Sequence, residues 1–494
     1  MKKILILLLL CSPAYSATYY ISPSGNDTSG NGSTGSPYRT LTKCYTVDNN
    51  GGDTYIFKDG TYNYSGCEIN DDAPNGSAGA YTIYKADTDG GAIVTQTDSL
   101  SFTSAKSYIQ IEGLKFNYAS TKAIGSTGSS HIKVLRCALQ GGSSGGNNVN
   151  VDISECEYIL MEDCWVYGTG GRYKILIWRA SQIVLRRCVV RDDAGWTSTS
   201  DDPEACIAVY ESSDTVCENC LIVDSDLSTY DNDNYGAFYL TGHEGNPPSN
   251  NVEYIGCMTL NNKVGGWNVD TDDGGVGLKL QDCVAYKGDC GMATSNTSMN
   301  MTISSCTFGN FTDRTIGEWG DKTVTVSNSI LYSGINDIVG DVSATYTDVY
   351  DPNNLSGTGI IHSNPLTNGL SYLPRIEDNS VYISTGNGGQ IGARIIKKIG
   401  TDGTLYGDTG YKTITENDLW PFPNESRIKS DLAAVSARGF CATGKQLNGT
   451  SDITLTSYIW EYLGNQIPQE IYGNVVGEPS KQGKVNTLRV LNLH

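Results

Sequence analysis

The chain has 494 residues, with 54 acidic and 34 basic side chains and a formal net charge of −20. Such an acidic protein lacks the basic surface that nucleic acid demands, which excludes that class of partner. Its 57 glycines suit many tight turns, and its length allows one large repetitive domain with an appendage.

Residues 1–16 are typical of a secretory signal peptide. Lys2 and Lys3 precede an apolar run over residues 4–10, and small residues follow it. The run is too short to span a bilayer, and no later stretch could span one. We therefore expect a secreted protein, extracellular or at the cell surface, whose mature net charge is −22 after the two lysines are removed (−20 − 2).

Residues 17–62 predict the first strands and a cap. The segments Tyr19–Asp27, Ser36–Cys44 and Gly52–Tyr62 resemble the opening of secreted β-helix proteins of the pectate-lyase-like superfamily. In that superfamily the middle segment is a short helix that covers the open end of the solenoid. An uncovered end would expose a row of unpaired strand edges, so a helical cap is expected here as well.

Residues 63–393 carry the repeat that defines the fold. The phrase apolar-x-apolar-x-x-Cys-x-apolar recurs from about residue 109 to 331, with Leu114 and Ser329 in the first and last Cys positions. Successive positions are 23, 27, 24, 32, 37, 26, 23 and 23 residues apart. The alternation indicates strands, and the short unit suits one solenoid coil of three strands. The sequence predicts an all-β fold, a right-handed parallel β-helix solenoid, closed by a segment at 363–393 that resembles the last coil of the same superfamily.

Most cysteines fit this repeat. Seven occupy the inward position and are interpreted as a column of small buried hydrophobes: Cys137, Cys164, Cys188, Cys220, Cys257, Cys283 and Cys306. Cys217-x-x-Cys220 looks like a metal motif, but both residues should point into the same core. Cys44 with Cys67, and Cys206 with Cys290, are candidate disulfides, because an exported chain allows them.

Residues 394–494 predict a C-terminal extension with two short helices. Asn424 is expected to cap a helix at 425–436, and Thr456 one at 457–463. The residue after each repeat position should point outward, forming an apolar stripe: Ala138, Trp165, Val189, Leu221, Met258, Val284, Thr307 and Ile330. Such a stripe needs a cover. The C-terminal extension is our first choice, and a partner protein or self-association through the stripe is the alternative.

The two longest coils, 188–220 and 220–257, hold the excess residues, and long loops on a rigid scaffold commonly carry function. Segment 191–235 has twelve acidic residues and one basic residue. Stacked coils would bring these carboxylates together, where they could bind Ca²⁺. Candidate ligands are Asp192, Asp193, Asp201, Asp202, Asp224 and Asp226. The alternative is solvated loops whose charge serves solubility.

The superfamily resemblance implies a chemistry for these loops. Its Ca-dependent lyases cleave uronate-containing polysaccharides with a Lys or Arg base on a strand next to the calcium ligands. Lys174, one coil before the acidic loops, matches that position best, although its flanking residues do not reproduce the family's pattern. For a glycoside hydrolase, Glu204 could pair with Asp202 or Asp224 as the two carboxylates.

Aromatic residues offer a function that needs no catalysis. Trp178, Tyr210 and Tyr239 end the same strand in three successive coils, and Trp196 and Trp267 flank it. If the rings face outward, they form a strip suited to the faces of sugars. The alternative is that some rings belong to the core. With outward-facing rings, the protein could bind its polysaccharide partner without catalysis, as an adhesin-like or structural surface protein.

Overall fold

A computed structural model describes most of the chain, and its three parallel sheets confirm the predicted all-β parallel β-helix. Most coils contribute one strand to each sheet, in the order sheet 1, sheet 2, sheet 3. No helix in the described part of the chain is long and apolar enough to cross a membrane. The described residues are 16–118, 120–141, 148–193, 204–226, 236–242, 245–271, 275, 277–295, 299–318, 323–351 and 354–472.

The three sheets have 13, 12 and 10 strands. Sheet 1 contains Thr18–Ile21, Thr54–Phe57, Thr82–Ala86, Ser107–Glu112, Ser130–Leu135, Glu157–Glu162, Ser181–Arg186, Ser213–Glu218, Asn250–Ile255, Leu278–Gln281, Met301–Ser304, Val324–Ser327 and Val342–Thr345. Sheet 2 contains Gly60–Tyr62, Ala92–Val94, Lys115–Asn117, Ala138–Gln140, Trp165–Gly168, Val189–Asp192, Leu221–Val223, Met258–Leu260, Val284–Gly288, Thr307–Phe311, Ile330–Tyr332 and Asp348–Tyr350. Sheet 3 contains Ile69–Asn70, Leu100–Ser101, Lys122–Gly125, Val149–Ser154, Tyr173–Trp178, Ala205–Tyr210, Gly236–Gly242, Gly265–Thr271, Met292–Ser295 and Ile316–Glu318.

A repeated bend turns each cysteine of the column inward. The residue before it has a positive φ, for example 48° at Arg187 and 51° at Asn219, which breaks the alternation of the strand. The seven cysteines are therefore buried at 0% exposure and are free thiols, as the repeat predicted. Cys164 donates to the carbonyl oxygen of Val134 at 3.3 Å, so the thiols also satisfy backbone acceptors.

The candidate disulfides are not formed. Cys44 and Cys67 are free thiols that donate to the backbone carbonyl oxygens of Thr40 and Arg39 respectively, each at 3.7 Å. Cys206 lies beside the hydroxyl of Ser225 at 3.1 Å, and Cys290, which is also buried, forms no disulfide with it. These positions serve the packing of the solenoid rather than a covalent framework.

The predicted N-terminal cap is present as helix α1, Leu41–Val47. The Thr40 hydroxyl accepts the backbone N–H of Lys43, and Leu41 is buried in the solenoid core. At the other end the parallel sheets stop at Tyr350. Segment 363–393 contains helix α2, Pro365–Asn368, and a 3-10 turn, Val381–Ile383, rather than a coil of strands.

The C-terminal extension contains both predicted helices, with different caps. Its elements are the antiparallel strands Lys397–Ile399 and Ile414–Asp418, helix α3 (Glu425–Ala433), helix α4 (Leu455–Trp460) and the 3-10 turns Gly439–Cys441 and Gln469–Tyr472. Asn424 precedes α3 in a left-handed conformation and makes no side-chain cap. The cap of α4 is Thr454, which forms a capping box with Ser457, so our assignment to Thr456 was two residues late.

This extension covers the apolar stripe on the outer face of sheet 2, as our first choice predicted. Trp165, Leu221 and Ile330 are each 0% exposed and share one cluster with C-terminal side chains such as Phe440 and Trp460. The stripe is therefore not available as the surface for self-association that the alternative required.

Candidate functional site

Lys174, the predicted catalytic base, lies inside the solenoid. It sits at the corner between sheets 2 and 3, where both Lys174 and the following Ile175 point inward. Its ammonium donates to the carbonyl oxygens of Gly168, at 2.9 Å, and Gly170, and it forms an ion pair with Asp192 at 2.8 Å. With 0% exposure it ties the corner together and has no access to a polymer on the surface.

Asp192 and Asp193, two of the predicted calcium ligands, are satisfied by the protein. Asp192 is paired with Lys174, and its backbone N–H donates to the Ser225 hydroxyl at 3.1 Å. Asp193 forms an ion pair with Arg191 at 2.7 Å and accepts the backbone N–H of Gly168 at 3.0 Å. Both carboxylates therefore have cationic or N–H partners, whereas a calcium site needs several oxygen atoms that point at the ion.

Asp224 and Asp226 lie where the solenoid contacts the C-terminal extension. Asp224 accepts the Tyr458 hydroxyl at 2.6 Å and the backbone N–H of Phe440 at 3.2 Å. Asp226 forms an ion pair with Lys263 at 2.5 Å. Within the described ranges no three acidic, His or Cys side chains are placed to hold a metal ion; because Asp201 and Asp202 lie outside these ranges, the calcium site stays a prediction.

Three of the predicted site residues, Trp196, Asp201 and Asp202, lie outside the described residues. A fourth, Trp267, is in the core rather than beside an aromatic strip. It is 1% exposed and stacks between Phe238 and Phe308, with ring centroids 5.1 and 5.6 Å apart. The prediction that Trp267 faces a ligand was therefore wrong.

The outer face of sheet 3 carries two rows of aligned side chains. The first row is Asp152, Leu176, Ala208, Tyr239 and Asn268, and the second is Ser154, Trp178, Tyr210, Thr241 and Asp270. Because neighbouring strands are ~4.8 Å apart, side chains in one row touch or nearly touch. Together these rows form what we call the open face.

Trp178 and Tyr210 are register partners in the second row, and both are partly exposed. This confirms that their side chains lie on the outer side of the sheet. The Arg179 guanidinium lies 4.6 Å from the ring centroid of Trp178 and pairs with Glu211 at 2.6 Å. Asn246 donates to the same Glu211 at 2.8 Å. The ring of Trp178 is thus held in place by a stacked cation that is itself fixed.

Tyr239 belongs to the open face but not to the row of Trp178 and Tyr210. Its register partner is Ala208, and it is only 7% exposed. Its hydroxyl lies 3.4 Å from the Asp270 carboxylate, and burial raises the pKa of Tyr239 above its usual value. Tyr239 therefore packs within the open face and exposes too little of its ring to bind a ligand.

Glu204, the predicted hydrolase carboxylate, directly precedes the strand Ala205–Tyr210, which pairs with the strand of Tyr173. It forms an ion pair with Arg172 and accepts the hydroxyl of Tyr173. The Arg172 guanidinium is 5.7 Å from the ring centroid of Tyr173. Glu204 is thus a paired, mostly buried group at the edge of the open face.

Asp152 is a residue that the sequence reasoning missed. It lies in the first row beside Leu176, two residues before the partner of Trp178. Ser154 donates a hydrogen bond to its carboxylate, and burial raises the pKa of Asp152. Among the described residues no basic side chain forms an ion pair with Asp152. The signal that could have found it is its parity with Ser154 in a strand of alternating apolar residues, Val149–Ser154.

The comparisons with known proteins concern the fold. No family model and no curated protein sequence match this chain. It is similar to the solved structure of a pectate lyase, with a TM-score of 0.48 and 15% identity over 75% of this chain and 92% of that one. A rhamnogalacturonan lyase gives 0.40 and 15% (81% and 97% covered), and a PL6-family alginate lyase gives 0.44 and 10% (70% and 53% covered). At these identities neither an activity nor a site residue transfers to this chain.

Proposed function

We propose that this is an exported protein that binds polysaccharide chains on its open face, with Trp178 and Tyr210 as the platform. The observation that carries the proposal is that both aromatic side chains are aligned on adjacent strands, face outward and are partly exposed. Aromatic rings flanked by hydrogen-bonding groups suit the apolar faces and hydroxyl edges of sugars. Asp270 and Ser154, both partly exposed, supply such groups in the same row.

The open face is long enough for a polymer. Its first row continues from Asp152 through Ala123 and Ser101 to Asn70. From Asn70 to Leu176 its members are partly exposed, over five strands or roughly 19 Å at ~4.8 Å per step, whereas Ala208 and Tyr239 further along are buried. A cleft of about 360 Å³ opens at the Asn70 end and is lined by that residue and Ser101 among others. A surface of this length contacts several sugar units rather than one.

Cleavage by a calcium-dependent lyase is the weaker alternative. It requires a base that reaches the substrate, whereas Lys174 is fully buried and paired with Asp192. It also requires a calcium site, for which Asp201 and Asp202 are the ligand candidates not already placed in another role. Binding on the open face needs neither of these conditions.

Affinity electrophoresis with immobilised neutral, acidic and amino-sugar polymers tests the proposal. Retardation of the wild-type protein by at least one polymer is expected, with a loss of about tenfold in affinity for Trp178→Ala or Tyr210→Ala. The matched control is Tyr81→Ala, which removes a partly exposed ring at the start of sheet 1. Unchanged retardation of both open-face variants would exclude this surface.

The same samples test the lyase alternative. Unsaturated uronate products absorb ultraviolet light, so a calcium-dependent rise in absorbance with an acidic polymer would establish cleavage. Binding without any such rise, and without new reducing ends, is the result that the open face predicts.

A further inference from the structure

The charges on the open face indicate which class of glycan it accepts, an inference that rests on the proposed binding function. Its two described cations are Arg172 and Arg179, and both are already paired, with Glu204 and Glu211. A uronate or sulfated polymer would need cations that are not engaged in this way, because an anion must otherwise be buried against carboxylates.

The two sequence segments that precede the strands Ala205–Tyr210 and Gly236–Gly242 lie outside the described residues, and their charge is of one sign. Residues 194–203 and 227–235 contain Asp201, Asp202, Asp231 and Asp233 and include no Lys, Arg or His. The whole mature chain is strongly acidic as well. Long-range electrostatics therefore repels anionic polymers and attracts cationic ones.

Asp152 provides a specific anionic contact next to the aromatic platform. Ser154, the register partner of Trp178, donates to its carboxylate, and no described basic side chain pairs with Asp152. Its nearest neighbours in the row are Leu176 and Ala123, which are apolar. A half-buried carboxylate in apolar surroundings gains stability when a cationic group of a ligand approaches it.

We propose that the open face binds a polymer of amino sugars with free, protonated amino groups, with an ammonium group on Asp152 and a sugar ring on Trp178. The aromatic ring next to the carboxylate supplies the apolar surface for the sugar ring, and the charge-assisted hydrogen bond to Asp152 selects the amino group. Such a ligand would pair with Asp152 without displacing the existing ion pairs of Arg172 and Arg179.

Isothermal titration with three oligosaccharides of equal length tests the proposal: β-1,4-linked glucosamine, its fully N-acetylated form and oligogalacturonate. The wild-type protein is expected to bind glucosamine about tenfold more tightly than the N-acetylated form, and galacturonate least. Asp152→Asn should remove this preference by lowering the affinity for glucosamine to that for the N-acetylated form. Asp87→Asn, an exposed carboxylate outside the open face, makes the same change in net charge and should keep the preference.

The outcomes separate this inference from the function on which it rests. Equal binding of the amino and N-acetylated forms, tighter binding of galacturonate, or a preference that survives in Asp152→Asn overturns the amino-sugar assignment and leaves glycan binding standing. Failure of the wild-type protein to bind any glycan in this set and in the wider polymer panel overturns both.

Discussion

The outer faces of sheets 2 and 3 are built by the same coils but have opposite fates. Sheet 2 presents Trp165, Leu221 and Ile330 in one stripe, and the C-terminal extension buries all three completely. Sheet 3 presents Trp178 and Tyr210 among polar and charged neighbours, and these rings stay partly exposed. A β-helix therefore generates aligned rows on every face, and the chemistry of a row decides whether it is covered or left for a ligand.

Residues of the acidic segment contribute to the interface between the solenoid and the C-terminal extension. Arg191 is fully buried and donates to the carbonyl oxygens of Leu432 and Ser436 at 2.8 and 3.0 Å. Together with Asp193 and Asp224 it fastens the C-terminal extension to the solenoid. Arg191, Asp193 and Asp224 of the acidic segment thus contribute to a buried interface.

The largest effect on stability is expected from a substitution in the C-terminal extension. Trp460 is 0% exposed in the cluster over sheet 2, so Trp460→Ala should lower the free energy of unfolding by about 3–5 kcal/mol. Denaturant unfolding measures the change. Leu447→Ala is the control on the same extension, because Leu447 is 43% exposed and should lose little. Equal losses for the two variants would show that the extension is not packed on sheet 2 as described.

Lys174→Met should have the next largest effect. It leaves the Asp192 carboxylate buried without its cation, a change that typically costs about 3 kcal/mol. Lys263→Met is the matched control, since the Lys263 side chain is 56% exposed in its pair with Asp226 and contributes little. A Lys174→Met protein with wild-type unfolding, whatever its activity, would contradict the structural role given to Lys174.

A smaller loss is predicted for Asp224→Ala. The Tyr458 hydroxyl and the Phe440 N–H both lose an acceptor, which should lower the free energy of unfolding by about 2 kcal/mol. If this carboxylate fastens the cover rather than binding calcium, the difference from wild type persists in chelator. A chelator that lowers the wild-type protein to the level of Asp224→Ala would instead favour the metal interpretation.

The smallest effect concerns the pH dependence of stability where the C-terminal extension begins. Burial raises the pKa of Asp282 to about 6, and its carboxylate accepts the backbone N–H of Arg394 at 3.2 Å. A pKa raised on folding gives a contribution to stability that is complete below the unfolded pKa of 3.8 and is lost as pH rises through about 6. Asp282→Asn, which keeps an acceptor, should therefore stabilise the protein by about 1 kcal/mol at pH 8.

Unfolding of Asp282→Asn and wild type across about pH 3.5 to 8, a range that includes both pKa values, checks the sign. The two curves should converge at the acidic end, separate as pH rises from about 4 to about 6, and stay apart above that. Curves that separate at the acidic end instead would mean that the Asp282 carboxylate stabilises the fold in its charged form.

Periodicity was enough to predict the solenoid, the cysteine column and the covered stripe. These features depend on local alternation plus one bend, and both are visible around Cys188 and Cys220. Lys174 could not be placed this way, because two successive residues turn inward at a corner and the alternation is lost. Its neighbour in sequence, Tyr173, consequently lies on the other side of the sheet.

Register after the long insertions was the second limit. Tyr239 pairs with Ala208 rather than with Tyr210, and Trp267 falls in the inward row of Phe238. Counting residues from the preceding cysteine cannot fix a strand that follows an insertion of unknown path. The partners of the acidic residues were equally hidden, since Arg438 lies 245 residues after Asp193 in the chain.

Hydroxyl-radical footprinting of the free and glycan-bound protein tests the contrast between the two faces most directly, because it reports the solvent access of individual side chains. In the free protein Trp178 and Tyr210 should be oxidised, while Trp165 and Trp460 stay unreactive. A bound oligosaccharide should protect Trp178 and Tyr210 and leave Tyr81 on sheet 1 unchanged. Undiminished oxidation of Trp178 and Tyr210 at saturating glycan would contradict the account.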